Sequence, residues 1–363
     1  MSKAAELAAL IANVNNGSSL ANKNFIINGA MNVAQRGTSS TGISSSNYYT
    51  ADRFKCTIEN TAGRLTQEAQ VADGPSGFAN CMKLTCTTAD TSIASNEALI
   101  IHQNIEGQNL QTLKKGTSDA VPVTVSFYVK ANASATYTLE LRSGDGGTNR
   151  MNSQEFSVTT GWTRVTKTFV GDTSQALDDD NETSISCNIW LHGGSDYTGG
   201  SHTDNVWHTT TNQRVGDNQT SFFDSTDRTF FITGVQMEIG EKATEFEHEP
   251  YERTLNRCWR YFNRITGSNC REFAGYNEST TKGLHVFRHP VRMRGTPSIG
   301  VSGTASNYIV AHSNTQTACS SALTFNTTND EGVTFYSTVS SGLTAGGASA
   351  LRNIDYIDLI AEL

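Results

Sequence analysis

The sequence predicts an all-β protein: a jelly-roll-like β-sandwich followed by a smaller C-terminal β domain, with one short helix at the N-terminus. Three observations predict it. Short runs alternate apolar and polar residues, as a strand with one buried face requires. Gly, Asn, Asp and Ser punctuate those runs, and no helical pattern separates them, which disfavours a parallel βαβ arrangement. The polarity is also uncharged: of 363 residues 36 are Ser and 47 are Thr, while only 17% are Asp, Glu, Lys or Arg. Thr suits a pleated surface. A net charge of −8 with 16 Phe and 11 Tyr is not the composition of a disordered chain.

The first element is a helix within residues 1–20. Leu7, Leu10 and Val14 fall in a/d register with Ile11 beside them, and the Asn15-Asn16-Gly17 cluster closes the pattern. A helix of about a dozen residues is marginal alone in water, so this stripe needs a partner: copies of itself, a groove on another protein, or its own domain. Residues 21–55 read as a linker with a lead-in strand at Phe25-Ile26-Ile27, then a Ser/Thr/Gly loop. Residues 56–247 form the sandwich. Val123, Val125, Phe127 and Val129 alternate with Thr124, Ser126 and Tyr128, and 137–141, 156–158, 162–169, 185–191 and 230–239 repeat the pattern. Residues 248–363 open with Leu255, Cys258, Trp259 and Phe262 at helical spacing and then return to short strands, from 284–287 to 354–360.

Several classes are disfavoured by simple counts. No apolar run approaches the roughly 20 residues of a membrane span, so membrane insertion is not expected. The opening residues lack a basic stretch followed by an apolar one, so no export signal is read there. Seven cysteines without CxxC spacing indicate neither a disulfide framework nor a zinc ribbon; they read as reduced, buried, small hydrophobes. The acidic balance gives no general attraction to nucleic acid.

Two blocks carry a family resemblance. The first runs from Asn24-Phe25-Ile26-Ile27-Asn28-Gly29 through Arg36-Gly37, with Tyr49-Thr50-Ala51-Asp52-Arg53-Phe54 behind it. The second is Ile232-Thr233-Gly234-Val235-Gln236-Met237-Glu238 through Glu247, with Pro250-Tyr251 and then Cys258 and Tyr261-Phe262. Together they resemble bacteriophage tail-fibre and related virion structural proteins whose central β-sandwich is similar to carbohydrate-binding modules. Trp259 stands where those proteins usually carry Gln. The resemblance implies a trimeric virion protein, assembled in the host bacterial cytoplasm and attached to phage tail or capsid through its N-terminus. The β domains would project toward a host cell-surface glycan.

Sugar recognition uses an aromatic face beside planar polar groups, and one stretch offers both. Trp190, Asp196, Tyr197, Trp207 and His208 sit among glycines and are the candidate glycan contacts; the alternative is that Trp190 belongs to a strand core. His192, Asp196, His202 and His208 lack metal-ligand spacing, so no metal site is assigned. Asp178-Asp179-Asp180-Asn181-Glu182 lacks the order of a calcium loop, and a structural Ca²⁺ is left open there. Arg257, Arg260 and Arg264 would share a helix face available for ion pairing with a neighbouring subunit. No nucleophile elbow, HExxH or phosphate loop is present, so no catalytic residue or cofactor is assigned. The expected function is a non-enzymatic virion fibre or spike binding host glycan multivalently, with residues 248–363 as a candidate receptor-binding tip. A structural adaptor or decoration protein is the alternative, and a capsule depolymerase the third reading.

Overall fold

The computed structural model describes residues 3, 23–266, 273–353 and 355–363. The candidate docking residues Leu7, Leu10, Ile11 and Val14 lie outside the described residues, as does Cys270. The chain divides into two compact units, Met1–Tyr251 with Leu363 and Glu252–Glu362.

The first unit is a sandwich of two six-stranded sheets, with strands numbered in chain order. One sheet runs β1 (Ser39–Ile43), β4 (Arg64–Val71), β5 (Cys81–Thr88), β12 (Thr229–Ile239), β7 (Val123–Ala131), β10 (Thr163–Phe169). The other runs β2 (Asn47–Tyr48), β3 (Lys55–Glu59), β6 (Ala98–Glu106), β11 (Thr183–Gly193), β8 (Ala135–Ser143), β9 (Arg150–Val158). Period-2 alternation builds the interior. Val125, Phe127 and Val129 of β7 and Leu139 and Leu141 of β8 turn into one shared core with Leu84, Ile101, Ile189 and Ile232. Every pairing within the two sheets is antiparallel.

Two local readings of residues 21–55 change. Ile26 and Ile27 are buried and Phe25 is half-buried, but the run is not a strand, because side chains take much of the place of a ladder. Ile26 N–H donates to Asn24 Oδ1 at 3.0 Å and Ile27 N–H to Gln103 Oε1 at 2.7 Å. The Ser/Thr/Gly stretch read as a loop instead supplies edge strand β1, which pairs irregularly with β4.

The second unit opens with helix Tyr251–Trp259, shorter than its periodicity suggested: Phe262 already starts β13 (Phe262–Thr266). β13 pairs with β22 (Tyr356–Ile360), which also takes β16 (Ser298–Val301). A seven-stranded sheet runs β18 (Thr315–Ala318), β17 (Tyr308–His312), β21 (Ala348–Asn353), β14 (Phe273–Asn277), β15 (Lys282–Arg288), β20 (Gly332–Thr338), β19 (Thr324–Thr328). Phe273, Val310, Phe335, Leu351, Ile357 and Leu359 share its core.

The expected arginine face is corrected here. Arg264 lies on a strand, not a helix. Its guanidinium grips Asp358, directly opposite in the ladder, at 2.7 and 2.8 Å, and stacks 3.8 Å from the Tyr356 ring. Arg257 and Arg260 are not free of partners within the chain either. Cys56, Cys81, Cys86, Cys187, Cys258 and Cys319 are free thiols and buried. Burial pushes the Cys56 and Cys187 thiols up to about 12. Among the described residues no helix is long and apolar enough to cross a membrane.

Candidate functional site: a groove on the outer face of the second sheet

Alternation that sends Ile58, Ile101, Ile189 and Leu139 inward must send their neighbours outward. The ladder registers then align those neighbours in rows across β3, β6, β11 and β8. Thr57, Ile100, Trp190 and Thr138 form one row, and Lys55, His102, Asn188 and Glu140 the next. Asn104, Ser186 and Arg142 form a third. A groove of about 320 Å³ lies on this face, closed at one end by Tyr197 and Arg214 from the segment that follows β11.

The groove floor is an ionic and aromatic stack. Arg214 donates to both oxygens of Glu140, at 2.7 and 2.9 Å. Asn188 Nδ2 and Trp190 Nε1 each donate to Glu140 Oε2 at 2.8 Å. The guanidinium lies 4.7 Å from the Trp190 ring and 5.7 Å from Tyr197, and the two rings are 5.0 Å apart. Burial pushes the Glu140 pKa up, but the Arg214 charge and the hydrogen bonds from Arg214, Trp190 and Asn188 outweigh it, so the carboxyl sits below its ordinary range.

The other end is polar and cationic. His102 Nε2 lies 2.9 Å from Thr57 Oγ1, and its Nδ1 lies 3.3 Å from Asn104 Oδ1. Burial first, and then the Lys55 charge, push the His102 pKa down to about 4, so the imidazole is neutral near pH 7. Ser186 Oγ donates to Asn104 Oδ1 at 2.7 Å, and Arg142 Nη2 donates to Asn149 Oδ1 at 2.8 Å. Burial, and then Arg214, lower the Arg142 pKa. Amide, imidazole and guanidinium planes beside a half-buried tyrosine can hydrogen-bond the hydroxyls of a sugar while a ring packs against its apolar face.

The five residues singled out from sequence divide between places. Trp190 and Tyr197 line the groove, yet Trp190 is 0% exposed beneath Arg214 and offers no open platform. Asp196 is exposed on the one-turn helix Ser195–Thr198 and does not line the groove. Trp207 packs on the main core, donates from Nε1 to Val170 O at 2.7 Å and lies 5.4 Å from Lys115 Nζ. That lysine shares Asp172 with Arg150, at 3.0 and 2.7 Å. His208 exchanges backbone hydrogen bonds with Met151 at 2.8 Å each way. Lys55, His102, Glu140, Arg142 and Arg214 were missed from sequence. For the first four, the signal was available in the polar positions of alternating strands; for Arg214, on a loop, there was none.

Among the described residues no three His, Cys, Asp or Glu side chains are grouped to hold a metal ion. His192 is instead enclosed between Glu97 Oε2 at 2.9 Å and Ser221 Oγ at 2.8 Å. That chain has the connectivity of a hydrolytic triad, but the ring is 0% exposed and Ser221 Oγ already accepts the Phe223 N–H at 3.0 Å. The acidic run is tied down as a turn: Asp180 O accepts Gln108 N–H at 2.8 Å, and Asp180 Oδ1 accepts Glu182 N–H at 2.9 Å.

No family model matches the chain, and no curated protein matches it. Solved structures do. A CBM4 chain is 15% identical with a TM-score of 0.29, over 59% of this chain and 98% of that one. The family 11 carbohydrate-binding module of Clostridium thermocellum, in complex with a mixed-linked tetrasaccharide, is 10% identical with a TM-score of 0.28, over 58% and 98%. The enzymatically active domain of bacteriophage CBA120 tailspike protein 4 is 11% identical with a TM-score of 0.32; the match covers 60% of this chain and 22% of that one.

Proposed function

We propose that the chain is a non-enzymatic virion fibre or spike protein whose sandwich unit binds host-surface glycan in the groove over β3, β6, β11 and β8. The observation that carries this reading is the groove itself: about 320 Å³ on an open sheet face, with Tyr197 at one end and Asn104, His102 and Arg142 at the other. Its volume falls in the range of small-molecule sites. Glu140 favours binding over cleavage. A carboxylate that is kept ionised and already accepts from Arg214, Trp190 and Asn188 has no proton to give a glycosidic oxygen.

The particle attachment, through residues 1–20, and a homotrimer are the parts of this proposal that come from the resemblance of the two sequence blocks. Three weak sites on one particle would raise avidity by orders of magnitude where they engage together. Purified protein titrated on intact host cells and on a glycan array, with its mass in solution measured alongside, tests the reading. Saturable binding by a trimer, competed by one sugar class, is expected. A folded protein that binds no cell and no glycan would overturn it.

The structural-adaptor reading has its own observation. Tyr276, 49% exposed, and Val286, 46% exposed, share one face of the seven-stranded sheet with half-buried Leu284 and Tyr336, and such a face suits contact with another protein.

A further inference from the structure

The groove is cationic on an acidic protein. The chain carries a net charge of −8. Yet the charged groups on the groove are Lys55, Arg142 and Arg214 against Glu59 and, in its floor, Glu140. Arg214 and Glu140 satisfy each other. Glu59 stands four residues from Lys55 on β3, about 13 Å along the strand, at the aromatic end. Lys55 and Arg142 are left at the opposite end, half-buried, and neither forms an ion pair among the described residues. They stand on β3 and β8, on either side of β6 and β11, so three inter-strand spacings, about 14 Å in all, separate their strands; both side chains line the groove, Lys55 Nζ 5.7 Å from the Tyr48 ring and Arg142 bonded to Asn149.

A saccharide with hydroxyls only would cover these two cations without compensating them, which costs free energy. The polar groups between them, Asn104, Ser186 and His102, are already hydrogen-bonded to one another, to Thr57 or, from Asn104 Nδ2, to Leu363 O at 3.2 Å, and none is an anion. An anionic substituent on the ligand removes the deficit. We infer that the groove selects a saccharide bearing a carboxylate, a uronic or related sugar acid, whose carboxylate lies between Lys55 and Arg142 while an adjoining ring packs toward Tyr197. This rests on the glycan-binding reading above and names its ligand class.

The test is a calorimetric titration of the full chain with trigalacturonate and with sialyllactose. Methyl-esterified trigalacturonate, in which only the charge is removed, neutral galactotriose and a sulfated galactose trisaccharide serve as comparisons. At least one sugar acid should bind about tenfold or more tighter than the esterified or neutral sugars, since a hydrogen bond between charged groups is roughly twice as strong as a neutral one. Lys55→Gln and Arg142→Gln should each lose that margin, with melting curves showing that both variants fold; Arg142→Lys should keep part of it. Equal affinity for the neutral and acidic sugars would overturn the inference and leave the glycan-binding reading standing. Equal affinity for the sulfated trisaccharide would overturn the carboxylate assignment. Binding of none of these saccharides would overturn both.

Discussion

Asn24 and Met237 stand 213 residues apart in the chain and are joined by a 3.0 Å hydrogen bond, from the Met237 N–H to Asn24 Oδ1. The same side chain donates to Val235 O at 3.1 Å and accepts the Ile26 N–H at 3.0 Å. Phe25 N–H donates to Met237 O at 2.9 Å, and Val235 N–H to Gly29 O at 3.0 Å. A Cβ on Gly29 would come within 2.1 Å of Val235 O, so the close approach demands glycine. Residues 24–29 of the first block that resembles virion proteins and 235–237 of the second are therefore packed together. They close the sandwich and take no part in the groove.

Asn24→Ala should destabilise the first unit by about 2–4 kcal/mol, because it leaves buried backbone groups of Ile26, Val235 and Met237 unpaired. Denaturant unfolding measures it. A loss below 1 kcal/mol, on the order of one ordinary hydrogen bond, would show that this side chain is not what joins the blocks.

Glu140→Gln should cost about 3–5 kcal/mol, since it strands the Arg214 guanidinium in a buried setting. Tryptophan fluorescence should shift as well, because Trp190 Nε1 loses a charged acceptor. Unchanged stability would mean that Arg214 finds another counter-charge.

Two histidines, one in each unit, act on the acid side of the stability curve. His102 is pushed from 6.5 down to about 4 by burial and then by Lys55, with Arg142 adding to the shift and Asn104 and Glu140 opposing it. His285 is also pushed down to about 4 by burial. Between pH 6.5 and 4 the unfolded chain binds protons that the folded chain refuses, so stability is whole above 6.5 and falls as the pH drops toward 4. The difference between wild type and His102→Gln across that window isolates one group from the depressed carboxylates. Parallel curves would contradict the assignment.

Arg264→Ala should destabilise the second unit by about 1–3 kcal/mol through loss of its bidentate pair with Asp358, and should leave the mass in solution unchanged. A change of oligomeric state would restore this arginine to a subunit contact.

Strands were legible where the sequence alternates cleanly. The run Val123 to Val129 sits in β7 because its branched and aromatic residues turn toward one core. Phe25-Ile26-Ile27 misled because the Ile26 and Ile27 N–H groups are satisfied by the Asn24 and Gln103 side chains, a tertiary arrangement with no periodicity. The site was only half legible. Tyr197 and Trp190 could be picked out by type and context, whereas Trp207 has the same signature and packs on the core. Lys55, His102 and Arg142 become neighbours only through the register of β3, β6, β11 and β8, and their sequence separations of 40 residues or more hide it.

The most direct measurement is the affinity of wild type and Tyr197→Ala for whichever saccharide the glycan array captures, with melting curves for both. Tyr197 is half-buried at the groove end, and its loss should weaken binding about tenfold or more, on the order of an aromatic stacking contribution, while the variant still unfolds cooperatively. Undiminished binding by a folded Tyr197→Ala protein would contradict glycan recognition at this groove.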